Sequence, residues 1–406
     1  MNPAEQIVIV GGGHAGVQLC AALAAAGQGA RVQLVCEEPE LPYQRPPLSK
    51  SFLKNPDEAL QLHRPEAWFA EAGVTVHRGD AAVALDLARH ELRLRSGRTL
   101  GFDRLVLATG CRGRRLPDWP EAPANVAVLR SAHDAQGLRE RLAAAPSLTV
   151  LGGGFIGLEV AATARALGKA VTVLETAPRL LMRAVSAELA THVLQVHRDS
   201  GIDLRLGARV GAARFDGDRL RELEVDGICL PVDLLLLAIG AVPDQALAQA
   251  AGLACDDGIV VDAAMRTSDP AVLAIGDCAR VVDAASGQRL RLESVQNAAE
   301  HARVAATTLL GAPTPAPALP WFWSDQGSLR LQMAGLLPAE GTRHRRPGPT
   351  PAGFSILHYA GDRLVSVESA NAPMDHLMLR KLLEAGRSPT PASACDPQVP
   401  LKQWLA

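Results

Sequence analysis

A strand, a glycine-rich turn and a helix follow one another twice in this 406-residue chain, and few folds accommodate such a pair. The first copy is Gly11-Gly12-Gly13-His14-Ala15-Gly16. It follows the apolar run Ile7-Val8-Ile9-Val10 and precedes Val17-Gln18-Leu19-Cys20-Ala21-Ala22-Leu23, which has helical spacing. The second is Gly152-Gly153-Gly154-Phe155-Ile156-Gly157, between Leu148-Thr149-Val150-Leu151 and Leu158-Glu159-Val160-Ala161-Ala162. A residue without Cβ turns tightly and lets a pyrophosphate approach the free N–H groups of a helix N-terminus, where the helix dipole also favours negative charge. Each copy then returns to a β-run that ends in acid, Val32-Gln33-Leu34-Val35-Cys36-Glu37 and Ala170-Val171-Thr172-Val173-Leu174-Glu175. A carboxylate there accepts hydrogen bonds from ribose hydroxyls. One such motif is weak; two, each with strand, helix and acid in place, predict two bound dinucleotides.

The rest of the chain fits a multidomain enzyme. A length near 400 residues corresponds to two or three domains. The hydrophobic content of 48% includes no apolar run long enough to span a bilayer, and the first strand begins too early for a signal or transit peptide, so we expect a cytoplasmic protein. A net charge of −2 gives no general attraction to nucleic acid or to membrane. The seven cysteines (Cys20, Cys36, Cys111, Cys229, Cys255, Cys278 and Cys395) include no CxxC and no spacing suited to a metal, so neither a redox thiol pair nor a metal site is expected. Lysine is scarce, which makes Lys50 stand out.

The order of elements predicts an α/β fold of two Rossmann-like domains and a small C-terminal α+β domain. The first domain takes residues 1–109 and is completed by residues 240–316; the second spans 110–239 and the third 317–406. Leu105-Val106-Leu107-Ala108-Thr109-Gly110 and Leu234-Leu235-Leu236-Leu237-Ala238-Ile239-Gly240 read as matching strands ending in glycine, and Val272-Leu273-Ala274-Ile275-Gly276-Asp277 as a third. A helix is expected over 298–310, a proline-rich boundary over 313–320, and a last helix over 374–385.

This order resembles the flavoprotein reductases of the glutathione-reductase fold. Three segments narrow the resemblance to ferredoxin reductases of bacterial oxygenase systems, of the putidaredoxin and rubredoxin type. They are Leu41-Pro42-Tyr43-Gln44-Arg45-Pro46-Pro47-Leu48-Ser49-Lys50, Glu293-Ser294-Val295-Gln296-Asn297-Ala298 and Trp321-Phe322-Trp323-Ser324-Asp325-Gln326. The resemblance implies FAD in the first domain, NAD (as NADH) in the second, and the C-terminal domain beside the flavin. It places Gly11, Gly13, His14, Ala15 and Gly16 at the FAD phosphates, Glu37 on the adenosine ribose, Val83 at the adenine and Arg130 at the pyrophosphate. Asp277, after Gly276, falls on the ribityl chain. Arg45, Ala108, Thr109, Gly110, Ser294, Val295 and Trp323 complete the FAD set, with Lys50 near the flavin ring. The nicotinamide set is Gly152, Gly154, Phe155, Ile156, Gly157, Glu159, Glu175, Ile239 and Gly240. Lys50 and Glu159 form the implied catalytic pair, since a carboxylate nearby keeps a lysine in a dry pocket charged. The family's usual aromatic after Gln326 is replaced by Gly327.

The resemblance implies an NADH-dependent reductase that passes electrons through FAD to a [2Fe-2S] ferredoxin or rubredoxin, as a monomer or homodimer. Arg343-His344-Arg345-Arg346 reads as a basic turn suited to an acidic partner, with Arg330 nearby in sequence. Two other readings are weighed: an NADH oxidase using dioxygen, whose thiol-dependent form needs a cysteine absent from residues 38–50, and a non-enzymatic NADH-binding flavoprotein.

Overall fold

The computed structural model describes residues 5–282 and 289–405. Contacts divide the chain into two compact units: Met1–Arg45, Leu60–Arg112 and Ala241–Ala318; and Pro46–Ala59, Gly113–Gly240 and Leu319–Ala406.

The first unit is built on a five-stranded parallel sheet in the order Val272–Ala274, Arg104–Leu107, Ile7–Val10, Val32–Cys36, Thr75–Arg78. Its central strands are near-continuous apolar runs, as parallel strands covered on both faces must be, and Ile7–Val10 is buried along its whole length. The strand that closes one edge, Val272–Ala274, comes from the late part of the chain. The helices His14–Ala25 and Val295–Leu309 pack together in this unit, and the second begins three residues before the expected start because Ser294 caps it at Asn297 N–H. Two three-stranded sheets belong to the same unit, an antiparallel one of Ala82–Asp86, Glu91–Leu94 and Thr99–Gly101 and a mixed one of Ile259–Val261, Ala279–Val282 and Arg289–Leu290.

The second unit repeats the plan. Its parallel sheet runs Asp203–Leu206, Ala170–Glu175, Ser147–Leu151, Leu235–Leu237, Val126–Ala127. The same unit contains a five-stranded antiparallel sheet from the C-terminal segment, ordered Trp321–Gln326, Leu329–Gly335, Arg363–Ala370, Phe354–Ala360, Thr342–Pro347, against which the helix Pro373–Glu384 packs. Leu329, Leu331, Met333, Phe354 and Ile356 share one core with the neighbouring parallel-sheet residues Leu148, Val150 and Val171. The segment carrying Lys50 also belongs to this unit, separated from the strands that precede and follow it in sequence.

One expectation is corrected here. Arg343-His344-Arg345-Arg346 is not a turn but part of the edge strand Thr342–Pro347. Arg346 points inward and is buried, donating to Asp375 at 3.0 Å and to the carbonyls of Ala394 and Asp396. Arg345 pairs with Glu188 at 3.2 Å and lies over the ring of Phe354. Arg343 is left exposed.

Candidate functional site

The two glycine turns are superposable in their constraints. Gly11 and Gly152 have φ of +119° and +115°, a region L-residues avoid, and a Cβ on either would fall 2.2 or 2.3 Å from the carbonyl oxygen of Ala108 or Ala238. The last glycines, Gly16 and Gly157, face Gly11 and Gly152 carbonyls so closely that a Cβ would lie 2.0 and 2.3 Å away. These four positions are glycine because backbone packs on backbone. Gly13 and Gly154 differ: their φ values are ordinary, and a Cβ on either would meet nothing within 4 Å. Both are N-caps, and neither helix that follows has a side-chain cap. Each turn therefore sets the N-terminus of a helix without a side-chain cap beside a gap that a methyl group would fill. A dinucleotide pyrophosphate fits that arrangement.

In the first unit the turn is joined by residues distant in sequence. Ala108 meets Gly11, and Gly276 approaches Ala15 so closely that a Cβ on Gly276 would be 3.0 Å from the Ala15 Cβ. Thr109 donates to the Asp244 carbonyl at 2.6 Å, and Gly110 makes its turn at φ +72°. Asp277 lies within the short helix Gly276–Cys278 and accepts a weak hydrogen bond from the Cys111 thiol at 3.6 Å. Gly276 N–H donates to His301 Nδ1 at 3.1 Å, and burial holds the His301 pKa down to about 4, so this ring is neutral and able to accept. Glu37 directly follows its strand and is exposed, between Arg95 at 3.4 Å and Arg112 at 3.3 Å; Arg112 also pairs with Asp244 at 2.9 Å. The two arginines escape sequence reading because only the fold brings them to Glu37. Arg45 pairs with Glu38 at 2.8 Å, Val83 lies exposed on Ala82–Asp86, and the Ser294 hydroxyl is occupied as a helix cap. Val295 starts that helix.

In the second unit Glu175 accepts from Gly153 N–H and Ala177 N–H, both at 2.7 Å, so its carboxylate is locked beside the glycine turn. Arg179, near in sequence, is turned away: it donates to the carbonyls of Val185 and Met182, each at 2.8 Å. Phe155 and Ile156 begin the helix, Ile156 exposed, while Ile239 and Gly240 follow the matching strand, Gly240 with φ +100°. Arg130 directly precedes the Ser131 capping box and its N–H donates to Asp134 at 3.0 Å.

Lys50 and Glu159, separated by 109 positions, form an ion pair at 2.7 Å. Glu159 is 4% exposed and Lys50 24%, so the ammonium keeps one open side while the anion has none. Such a buried carboxylate is tolerable only with its lone pairs filled. Ser49 supplies a hydroxyl at 2.5 Å to the same oxygen as Lys50, and Ser324 one at 2.7 Å to the other. Trp321 and Trp323 share a strand face with centroids 5.4 Å apart, and Arg380 lies over Trp321. No disulfide joins any of the seven cysteines; burial pushes the Cys36 thiol up to about 12 and raises Cys20 and Cys278 as well, so these thiols stay protonated.

Comparison with known proteins agrees with this geometry. The pyridine nucleotide-disulphide oxidoreductase family matches residues 5–302, and the reductase C-terminal family matches residues 321–405. A putidaredoxin reductase from Pseudomonas putida is 38% identical over 100% of this chain and 98% of its own length. Among solved structures, the covalent putidaredoxin reductase–putidaredoxin complex aligns with a TM-score of 0.93 at 37% identity, covering 100% of this chain and 99% of that one. The ferredoxin reductase of the CYP199A2 system from Rhodopseudomonas palustris gives 0.94 at 39% identity, over 99% and 100%.

Proposed function

The chain belongs to the pyridine nucleotide-disulphide oxidoreductase family and ends in a reductase C-terminal domain, and we propose that it takes electrons from NADH and delivers them through FAD to a [2Fe-2S] ferredoxin, or a rubredoxin, that serves an oxygenase. The observation that carries this reading is the pair of open glycine positions, Gly13 and Gly154, each in front of an uncapped helix. FAD belongs to the first and NADH to the second. Bound FAD supplies acceptance of a hydride and release of electrons one at a time.

The protein's own residues bind and orient. The helix starting at His14 receives a pyrophosphate, and Glu37 and Asp277 offer carboxylates to ribose and ribityl hydroxyls. Glu175 receives the nicotinamide nucleotide's adenosine ribose and repels a 2′-phosphate; Arg179, committed to two carbonyls, does not offset that repulsion. Lys50 presents an ammonium that Glu159 holds in an ion pair, the pair to which the family resemblance gives the catalytic role. Because no thiol pair is available, electrons leave from the flavin edge directly, and the tryptophan-bearing C-terminal sheet is the surface we assign to the acceptor. Arg343 is the member of the basic run placed to meet an acidic protein. A cytoplasmic setting accords with seven cysteines that form no disulfide; no described helix is long and apolar enough to cross a membrane.

The dioxygen-using alternative is disfavoured in its thiol form by Cys36, the cysteine nearest Glu37, which is buried and protonated. Purified protein should be yellow with one FAD, and its NADH-driven reduction of cytochrome c should be slow until a [2Fe-2S] ferredoxin is added. Colourless protein that takes up no FAD would refute the cofactor assignment. Rapid NADH consumption with dioxygen and no ferredoxin effect would favour the oxidase.

A further inference from the structure

The strand Trp321–Gln326 sends alternate side chains to opposite faces. Trp321, Trp323 and Asp325 share one. Phe322, Ser324 and Gln326 share the other, where Phe322 meets Phe155 with centroids 4.7 Å apart and Ser324 reaches Glu159.

On that second face three hydrogen bonds run head to tail. His197 Nε2 lies 2.7 Å from Gln326 Oε1, Gln326 Nε2 donates to Ser324 Oγ at 3.1 Å, and Ser324 Oγ donates to Glu159 Oε1 at 2.7 Å. His197, Gln326 and Ser324 are all essentially inaccessible to water. The direction is fixed by the groups themselves. Gln326 spends its amide nitrogen on Ser324, so its oxygen can only accept, and His197 must carry its proton on Nε2. Burial lowers the His197 pKa, so the ring is neutral. Each donor polarises the next, and the whole row points at the carboxylate. Ser49 and Lys50 occupy Oε2; among the described residues, Ser324 is the donor to Oε1. An apolar residue at 326 would leave the Ser324 hydroxyl free to rotate away, and Glu159 free to follow.

We propose that His197, Gln326 and Ser324 are positioning residues that fix the Glu159 carboxylate and, through it, the ammonium of Lys50. This rests on the reading of Lys50 and Glu159 as part of the NADH-to-flavin site. It also gives the Trp321-to-Gln326 segment a second use, since one strand carries an aromatic pair on one face and a hydrogen-bonded row on the other.

The test uses flavin-loaded enzyme mixed anaerobically with excess NADH, together with ¹⁵N spectra of the histidine rings. Ser324→Ala should lower the limiting rate of flavin bleaching about tenfold, as expected for loss of one hydrogen bond to a charged group. The Kd for NADH, read from the concentration dependence, should stay within about twofold. Ser324→Thr, which keeps the hydroxyl, should restore the rate, and Ser324→Ala should add nothing in a Glu159→Gln background. The wild-type His197 ring should show the Nε2–H tautomer, and Gln326→Met should shift its signals. Should Ser324→Ala not fold, Gln326→Met carries the same kinetic expectation. An unchanged limiting rate, an equal loss in the Glu159→Gln background, or an Nδ1–H tautomer at His197 would overturn the proposal. A wild-type flavin that NADH fails to bleach would instead overturn the functional reading, while the His197 tautomer and its response to Gln326→Met would still decide whether the row exists.

Discussion

Adding one methyl group at Gly152 or at Gly154 should have opposite consequences. Gly152→Ala puts a Cβ 2.3 Å from a carbonyl oxygen at φ +115°, so it should destabilise the fold by about 2 kcal/mol or more. Gly154→Ala meets nothing and keeps an ordinary φ, so thermal unfolding should barely move. Its KM for NADH should nevertheless rise at least about tenfold, because the methyl occupies the space proposed for phosphate. A Gly154→Ala enzyme with unchanged KM would count against the site. Glu175→Ala should narrow the preference for NADH over NADPH, whereas Arg179→Ala should leave it unaltered, as steady-state kcat/KM with both nucleotides will show. His301 makes a pH prediction. Its folded pKa of about 4 lies below the ordinary 6.5, so the unfolded chain binds the extra proton first. The stability tied to its neutral form is complete above pH 6.5 and is lost as pH falls toward 4. His301→Gln, which keeps an acceptor for Gly276 N–H without titrating, should flatten part of that acid limb in unfolding titrations.

The edge strand Thr342–Pro347 shows how far element-level reading reaches. Its inward positions are His344 and Arg346, so the period-2 signal of a half-buried strand is written in polar residues and resembles a solvated turn. Arg346→Gln should therefore cost stability, about 3 kcal/mol by denaturant titration, and leave the ferredoxin KM alone, because it removes a buried pair with Asp375 and two carbonyl contacts. Glu368 behaves alike. Fully buried, it accepts from Ser186 N–H at 2.7 Å and faces His358 Nε2 at 2.9 Å, binding the C-terminal sheet to the start of the helix Ala187–Asp199. Glu368→Leu should lower unfolding free energy by about 2–4 kcal/mol. By contrast, both glycine turns and the acids that follow them are legible in the sequence, the turns because a backbone that packs on backbone leaves glycine as the sole solution. The resemblance supplied the ion pair. The row from His197 to Glu159, and the arginines around Glu37, join residues far apart in sequence through ordinary serine, glutamine and arginine side chains, and nothing local marks them.

At the scale of the whole molecule, one plan used twice gives two nucleotide sites, and a chain without a thiol relay must pass electrons outward from its flavin. The acceptor is then a protein that visits, reacts and leaves, and a contact between exposed opposite charges should weaken as salt screens it over a Debye length of about 10 Å at 0.1 M. Ferredoxin-stimulated cytochrome c reduction should accordingly fall with ionic strength, and Arg343→Gln should raise the apparent KM for ferredoxin while NADH reduction of the flavin is unchanged. Reducing the enzyme with NADH in the absence of air and then mixing it, in stopped flow, with either oxidised [2Fe-2S] ferredoxin or dissolved dioxygen identifies the acceptor. Rapid return of flavin colour with ferredoxin, and slow return with dioxygen, is the result expected of a ferredoxin reductase; fast reoxidation by dioxygen with ferredoxin inert would contradict it.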